Sequence, residues 1–453
     1  MNEARSPQHR EQASHYRWVV VGLLFAIIVI NYIDRSAISY AIAPMAKEIG
    51  IDTSQRGLIL GAFGIGYALT TFLGGLLVDR FGARIVLAVS VALWVISIGG
   101  TGLVQGFTLA LVARAALGVA EGPMFPGMTG AISRWLSPRE RGQAMGSSLT
   151  AVPVALAIGA PVVSTLITWL GWRGMFYILA LLSFIWLPLW WFLFRDQPEQ
   201  SSCVNKAELE KIRVRGDMTD QPDDERDTNE RVPARADGAT STSWRRLATN
   251  PTLLANYWAF FVFGYFLFFF MTWLPGYLEK AFHLSVSAVG WFSVVPWAAA
   301  AVALYVLGHF SDRLLKRTHR LRPSRSYLIA GTQALAAVAI VPVAFSSSLT
   351  LSLILITVAL AASMGANSAY YTVNVDIAPD RAATALGIMD FGFAIAGFLA
   401  PAITGWVVGS QGSFDKAFFL MAALAASSVI ITLIFHRPDA HAIGHPYADD
   451  RQH

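Results

Sequence analysis

Four ionisable side chains lie in stretches otherwise apolar enough to sit in lipid: Asp34 and Arg35 in the first apolar run, Arg114 and Glu121 in the fourth. On insertion scales, a charged side chain at the centre of a spanning helix costs roughly 2.5–3.5 kcal/mol. Two acids and two bases kept at that cost point to work done in a cavity. A guanidinium can hold a carboxylate, and a neighbouring acid can carry the proton that balances the bound charge. An adjacent guanidinium favours the charged form of an acid, whereas burial disfavours it. An arginine drawn onto a substrate carboxylate therefore frees its acid to take up a proton, and proton and anion binding become coupled. A buried ion-pair network that only fixes helix packing would use the same residues, but such pairs are weak devices for stability.

Helical spacing says how these groups can meet. Asp34 and Arg35 are successive, so they point about 100° apart on one helix; one can face a central cavity while the other faces helix 4. Asn31 and Arg35 are four apart and share a face. Arg114 and Glu121 are seven apart, on one stripe. Each arginine is then able to meet either carboxylate.

The elements that must position them follow from composition. The chain has 453 residues, 55% apolar and only 14% charged, against roughly 25% charged in soluble proteins. Apolar runs reaching the ~20 residues needed to cross the hydrocarbon core predict an all-α integral membrane protein with twelve transmembrane helices. The first six are expected over 17–40, 56–78, 83–104, 107–135, 140–169 and 173–194, and the second six over 251–279, 286–310, 326–346, 350–376, 382–408 and 414–435. This divides the chain into a tail (1–16), a six-helix half (17–194), a linker (195–250), a second half (251–436) and a tail (437–453). The linker is rich in Asp, Glu, Arg and Thr, cannot bury a core, and is expected to be largely disordered, with one short surface helix near 206–215. The N-terminus has no cleavable-signal pattern, because the apolar run after it is long enough to stay as a span.

Basic residues crowd alternate loops: Arg80 and Arg84, Arg139 and Arg141, then Arg313, Lys316, Arg317, Arg320, Arg322 and Arg325. The loops between hold few, namely Lys47, Arg173, Lys280 and Lys416. By the positive-inside rule both termini and the linker are cytoplasmic. The net charge of +5 belongs to this loop pattern and does not indicate nucleic acid. The single cysteine, Cys203, excludes an intramolecular disulfide. Nothing points to zinc, haem or an iron–sulfur centre, so no cofactor is expected beyond a proton as coupling ion. No nucleophile, metal cluster or phosphate loop suggests an enzyme.

The two halves repeat. Gly75, Asp79 and Arg80 recur 233 residues on as Gly308, Asp312 and Arg313, and Pro138, Ala144 and Gly146 recur 241 residues on as Pro379, Ala385 and Gly387. A parallel six-helix repeat joined by a long linker suits alternating access. The run Gly75-Leu76-Leu77-Val78-Asp79-Arg80-Phe81-Gly82-Ala83-Arg84 resembles the loop motif of the major facilitator superfamily. In that reading the aspartates Asp79 and Asp312 cap neighbouring helix N-termini, and Arg80, Arg84 and Arg313 hold a cytoplasmic gate closed.

Three further segments resemble the anion:cation symporter family: Asn31-Tyr32-Ile33-Asp34-Arg35, the helix 4 pattern Arg114-x3-Gly118-x2-Glu121-Gly122-x3-Pro126, and Thr272-Trp273-Leu274-Pro275-Gly276-Tyr277-Leu278. That family includes bacterial galactonate, hexuronate, glucarate and phthalate permeases. The resemblance covers all twelve spans and implies the major facilitator fold with two pseudo-symmetric halves. It further implies a multi-pass protein of the bacterial inner membrane that works as a monomer in the lipid bilayer. It assigns proton coupling to Asp34 and Glu121 and substrate binding to Arg35 and Arg114. Tyr32 and Tyr67 match positions that contact substrate. Tyr370 stands where sugar-acid members often have tryptophan. Asp390 stands where they often have asparagine, and is a second proton carrier, a specificity switch or a helix-start charge.

The function expected is proton-coupled import of a small organic anion, a sugar acid or an aromatic or dicarboxylic acid. A proton-driven efflux antiporter is the alternative, although helix 5 has Gly159-Ala160-Pro161 without the fuller glycine-proline pattern of drug antiporters. A non-transporting membrane sensor should have lost acids or gained a folded cytoplasmic module.

Overall fold

The structure, a computed structural model, describes residues 13–213, 247, 249–378 and 381–440. Its first half contains α1 (Tyr16–Ile49), α2 (Thr53–Thr101), α3 (Phe107–Glu121), α4 (Met124–Trp135) and α5 (Pro138–Leu193). A short α6 (Lys206–Arg213) follows. The second half contains α7 (Pro251–Phe282), α8 (Val286–Thr318), α9 (Tyr327–Ile340), α10 (Leu349–Gly365), α11 (Asn367–Ile377), α12 (Ala382–Gln411) and α13 (Asp415–Phe435).

Two of these helices are each a pair of membrane legs. Gly82, at φ 82° and ψ 157°, folds α2 into legs 53–81 and 83–101. Gly171, at φ 72° and ψ 170°, folds α5 into legs 138–170 and 172–193. Only glycine adopts such angles without strain. At Gly82 a methyl group would also lie 2.6 Å from Asp196 Cγ. Conversely, α3 and α4 form one leg broken at Gly122 and Pro123, and α10 and α11 form one leg broken at Ala366. Counted this way, the described residues make twelve legs, six in each half, as the sequence predicts. Lipid-facing residues such as Leu69, Ile96, Val302 and Trp406 stand exposed around the outside.

The first and last described residues, Ala13 and Ala440, lie on one face of the bundle, the terminus face. On the far face, helix starts are capped. Asp52 and Gln55 form a reciprocal capping box on α2, and the Ser285 and Ser348 hydroxyls accept from Ala288 N–H and Leu351 N–H at the starts of α8 and α10. Such caps are worth about 1 kcal/mol each. Glu48, near the end of α1, accepts from the Trp172 indole at 2.6 Å and from the Arg173 guanidinium at 2.9 Å, tying α1 to the second leg of α5.

The halves close against each other at the far face along two glycine seams. A methyl group at Gly57 on α2 would lie 2.7 Å from Gly405 Cα and 2.8 Å from Pro401 O on α12; one at Gly61 would lie 2.7 Å from Phe398 O. On the second seam, one at Gly290 on α8 would lie 2.8 Å from Ala160 O on α5. Towards the terminus face, Gly142 and Gly146 on α5 and Gly387 and Gly392 on α12 have no atom within 4 Å of that position. On these helices the glycine contacts between the halves therefore lie at the far face and not at the terminus face.

At that face each half carries the same clasp. Asp196, just past α5, accepts from Arg84 N–H at 3.1 Å, while the Arg84 guanidinium donates to Trp191 O at 2.6 Å. Asp439, just past α13, accepts from Leu321 N–H at 2.6 Å and Arg322 N–H at 3.0 Å, while the Arg322 guanidinium donates to Leu433 O at 3.0 Å. Beside this second clasp the buried His436 meets the Ser326 hydroxyl at 2.6 Å. Burial, helped by the charge of Arg322, pushes its imidazole down to about 3.

A short surface helix is expected near 206–215, and α6 lies there, but Glu208 on it is fully buried. Its carboxylate accepts from Tyr16 N–H at 2.9 Å, from Arg17 N–H at 3.0 Å and from the Ser14 hydroxyl, capping the start of α1. Arg17 pairs with it at 2.9 Å and with Glu140 on α5 at 3.0 Å. Although burial pushes the Glu208 carboxyl up, these hydrogen bonds and Arg17 hold it below its usual range. The disorder expected for the linker falls on 214–246 and 248, outside the described residues, as do most of both tails and Pro379, the repeat partner of Pro138.

Candidate functional site

The site is built where α1, α2 and the broken α3–α4 leg meet. Glycines bring two of these backbones into contact. A methyl group at Gly118 on α3 would lie 2.8 Å from Tyr67 N, and one at Gly66 on α2 would lie 2.8 Å from Val119 N. The rings of Phe63 and Tyr67 are thereby laid beside the arginines.

Arg35 is fully buried and pairs with Glu121: its Nε and Nη2 donate to Glu121 Oε2 at 3.1 and 2.9 Å, and Nη2 also donates to Asn31 Oδ1 at 3.2 Å. Three rings pack on the guanidinium, with centroids 4.6 Å (Tyr32), 4.5 Å (Phe63) and 5.0 Å (Tyr67) away. A desolvated contact of this kind contributes up to about 2 kcal/mol. The pair is thus held in place by aromatic walls, yet Glu121 Oε1 and Asn31 Nδ2 are buried without a hydrogen-bond partner.

Arg114 has a different environment. Its Nη2 donates to the backbone carbonyl of Arg35 at 2.7 Å, and it lies 5.2 Å from the Phe63 ring. Its Nε is buried and unpartnered, and among the described residues it forms no ion pair. Glu121 and Asp34 act on it only through space, so the unpartnered Nε leaves a buried donor open to an anion.

Asp34 does not join the pair. It turns into the first half, where the Trp94 indole N–H and the Ser183 hydroxyl donate to its Oδ2 at 2.7 and 2.8 Å; Oδ1 is buried and unpartnered. The free exchange of partners that helical spacing allows is therefore narrowed to Arg35–Glu121, with Arg114 on a carbonyl and Asp34 one layer behind. Trp94 and Ser183 are missed by the sequence reading, because single polar residues on helices 3 and 6 carry no signal until three helices pack.

From the second half, Asp390 on α12 is partly exposed and within electrostatic reach of Tyr32, Tyr67 and Tyr371. It has no hydrogen-bond or ion-pair partner among the described residues. Tyr370, expected at the cavity wall, turns away: it is fully buried, its hydroxyl accepts from Gln333 Nε2 at 3.0 Å, and it packs on Phe260 and Phe263. Its neighbour Tyr371 takes the cavity position. The resemblance that named Tyr370 fixes a sequence position and not a side-chain direction, and α11, restarting after the break at Ala366, turns Tyr370 into the packing.

The five residues expected at a gate do not meet across the halves. Asp79, Arg80 and Arg313 are exposed, and Asp79 and Arg313 have no partner among the described residues. Arg84 belongs to the first clasp, and Asp312 pairs with Arg325 at 3.1 Å. The acid that caps a helix start here is Asp196 in the first half and Asp439 in the second, each arriving from the end of the sixth leg. Among the described residues no group of three or more His, Cys, Asp or Glu side chains could hold a metal ion.

Comparison with known proteins adds to this geometry. The family model described as Major Facilitator Superfamily matches residues 24–332. The chain is 32% identical over 421 residues to the probable sulfoacetate transporter of Cupriavidus necator, covering 93% of this chain and 94% of that protein. It is 30% identical over 431 residues to the hexuronate transporter of Bacillus subtilis, covering 92% and 94%. With the probable galactarate/D-glucarate transporter of Escherichia coli it shares 29% over 450 residues, covering 96% of each. Among solved structures, it superposes with a TM-score of 0.69, at 19% identity and over 93% and 95% of the two chains, on an inward-facing, unoccupied bacterial homolog of the human lysosomal transporter Spinster.

Proposed function

Because this chain belongs to the Major Facilitator Superfamily, we propose that it imports a small organic anion together with protons, by alternating access, across a bacterial inner membrane. The observation that carries this reading is Arg114: a buried guanidinium with an unpartnered Nε and no ion pair among the described residues, one side chain from an arginine–glutamate pair. The relatives named above as sulfoacetate, hexuronate and galactarate/D-glucarate transporters support an organic acid as the ligand.

In this mechanism the substrate carboxylate enters beside Arg114 and draws Arg35 away from Glu121. Glu121 then holds a proton in place of the lost guanidinium. Asp34, one residue from Arg35 on α1 and hydrogen-bonded to Trp94 and Ser183, holds a second exchangeable proton, and any movement of α1 that follows Arg35 also moves Asp34. The anion's charge is thus cancelled before the halves rock, which lowers the cost of carrying it through a low-dielectric passage. The basic loops support a cytoplasmic terminus face by the positive-inside rule, and on that reading the conformation described is open inwards, with the glycine seams shut outside.

The test is uptake into proteoliposomes under an imposed inward proton gradient, using hexonates, hexuronates and sulfoacetate, in wild type and Glu121→Gln. Wild type should accumulate at least one of these acids, and a protonophore should stop it. The variant should lose accumulation but keep exchange of labelled for unlabelled substrate. Equal accumulation by both proteins would refute the coupling role, and no transport of any acid would refute the anion reading.

A further inference from the structure

The central space has two unlike ends. Towards the first half stand the arginines, with Arg114 free of any ion pair among the described residues. Towards the second half stands Asp390, which among the described residues has no ion pair with a lysine or arginine; Tyr32, Tyr67 and Tyr371 lie within its electrostatic reach. Resting on the anion-transport reading above, we infer that Asp390 sets substrate class: the site takes acids with a single anionic group whose far end carries a hydrogen-bond donor, a hydroxyl or ammonium, and disfavours acids with a negative group at both ends.

A substrate carboxylate seated on Arg114 is fixed at the first half, so the rest of the molecule extends towards α12. A hydroxyl or ammonium arriving there can donate to the unpartnered Asp390 carboxylate, a charge-assisted bond about twice as strong as a neutral one. A second carboxylate or a sulfonate arriving there meets a like charge with no cation to separate them, and like charges in a poorly hydrated site repel strongly. The phenols fit either occupant, since a hydroxyl both donates and accepts. They set orientation and leave the discrimination to Asp390. This divides the acids named for the relatives: hexuronates carry one anionic group and suit the site, whereas galactarate, D-glucarate and sulfoacetate carry one at each end.

The experiment compares matched pairs as competitors of uptake in proteoliposomes: gluconate against glucarate, and 6-aminohexanoate against adipate, each in wild type and Asp390→Asn. Wild type should prefer the member of each pair with one anionic group by tenfold or more, and the variant should narrow that ratio at least tenfold, mainly by gaining affinity for the dianion. Gain in the first pair only assigns hydroxyl recognition, and gain in the second only assigns ammonium recognition; both uphold the inference. A variant ratio within twofold of wild type in both pairs overturns it. If Asp390→Asn cannot be purified, the wild-type ratio decides, because preference for glucarate and adipate overturns it alone. Wild-type vesicles that carry none of the four acids, nor those of the previous test, would instead bring down the anion-transport reading itself.

Discussion

Replacing Gly57 by alanine places a methyl group 2.7 Å from Gly405 Cα and 2.8 Å from Pro401 O. Both neighbours are backbone, so no side chain can swing aside to make room. Overpacking of this kind costs typically about 1–3 kcal/mol. The cost applies only while the far-face seam is shut. The gain in helix propensity, about 1 kcal/mol from glycine to alanine, applies in both conformations and cancels. The equilibrium between seam-shut and seam-open states should therefore shift by roughly 5- to 150-fold, since each 1.4 kcal/mol is tenfold.

A suitable reporter is Ser164→Cys in a Cys203→Ser background. Ser164 is fully buried on the other seam, against Gly290, so it reacts only when the whole far face opens. The rate of labelling by an impermeant maleimide added to that face should rise at least fivefold in Gly57→Ala. The control is Gly22→Ala on α1, where a methyl group has nothing within 4 Å, and it should label at the parent rate. Folded Gly57→Ala protein that labels within twofold of its parent would refute the idea that backbone contact at this seam holds the described conformation.

Two other expectations concern the clasps at the terminus face. Asp196→Ala removes the acceptor for Arg84 N–H and should cost about 1–2 kcal/mol in thermal or denaturant unfolding. Asp79→Ala should stay within about 0.5 kcal/mol of wild type, and a larger loss for Asp79 than for Asp196 would return the capping role to the motif acid. His436 is held neutral with its imidazole at about 3, below an unfolded value of about 6.5. Its stabilisation is fully present above pH 6.5 and is lost as pH falls towards 3. By linkage, wild type should lose about 2 kcal/mol between pH 7 and pH 5 that His436→Asn does not lose. A difference between the two proteins that does not change with pH contradicts this.

The twelve legs were legible because each is a predominantly apolar run of spanning length, and in lipid a single such run satisfies its backbone only as a helix. The joints at Gly82 and Gly171 fell where the runs meet. What the sequence concealed lies at the breaks and in the packing. The restart of α11 after the break at Ala366 turns Tyr370 into the packing, so Tyr371 and not Tyr370 reaches the cavity. Asp34 and Arg35 were correctly placed on different faces, but only the packing of helices 1, 3 and 6 reveals that Asp34 is satisfied by Trp94 and Ser183. The glycine-aspartate-arginine motif marked both loops, yet Asp196 and Asp439, the acids that cap helix starts there, belong to no motif. They are recognised by position in space, and each lies more than a hundred residues from the backbone it caps.

The stretch that follows the sixth leg is fastened twice to the first half, by Asp196 on Arg84 and by Glu208 on the start of α1. Between these anchors lies Cys203, the single thiol of the chain, exposed to solvent and close to Tyr16. A dye or spin label attached there would ride with the first half as a rigid body. With one engineered cysteine at the terminus-face end of α12, the protein thus offers a ready ruler for the rocking of its halves, with its native thiol as the other mark.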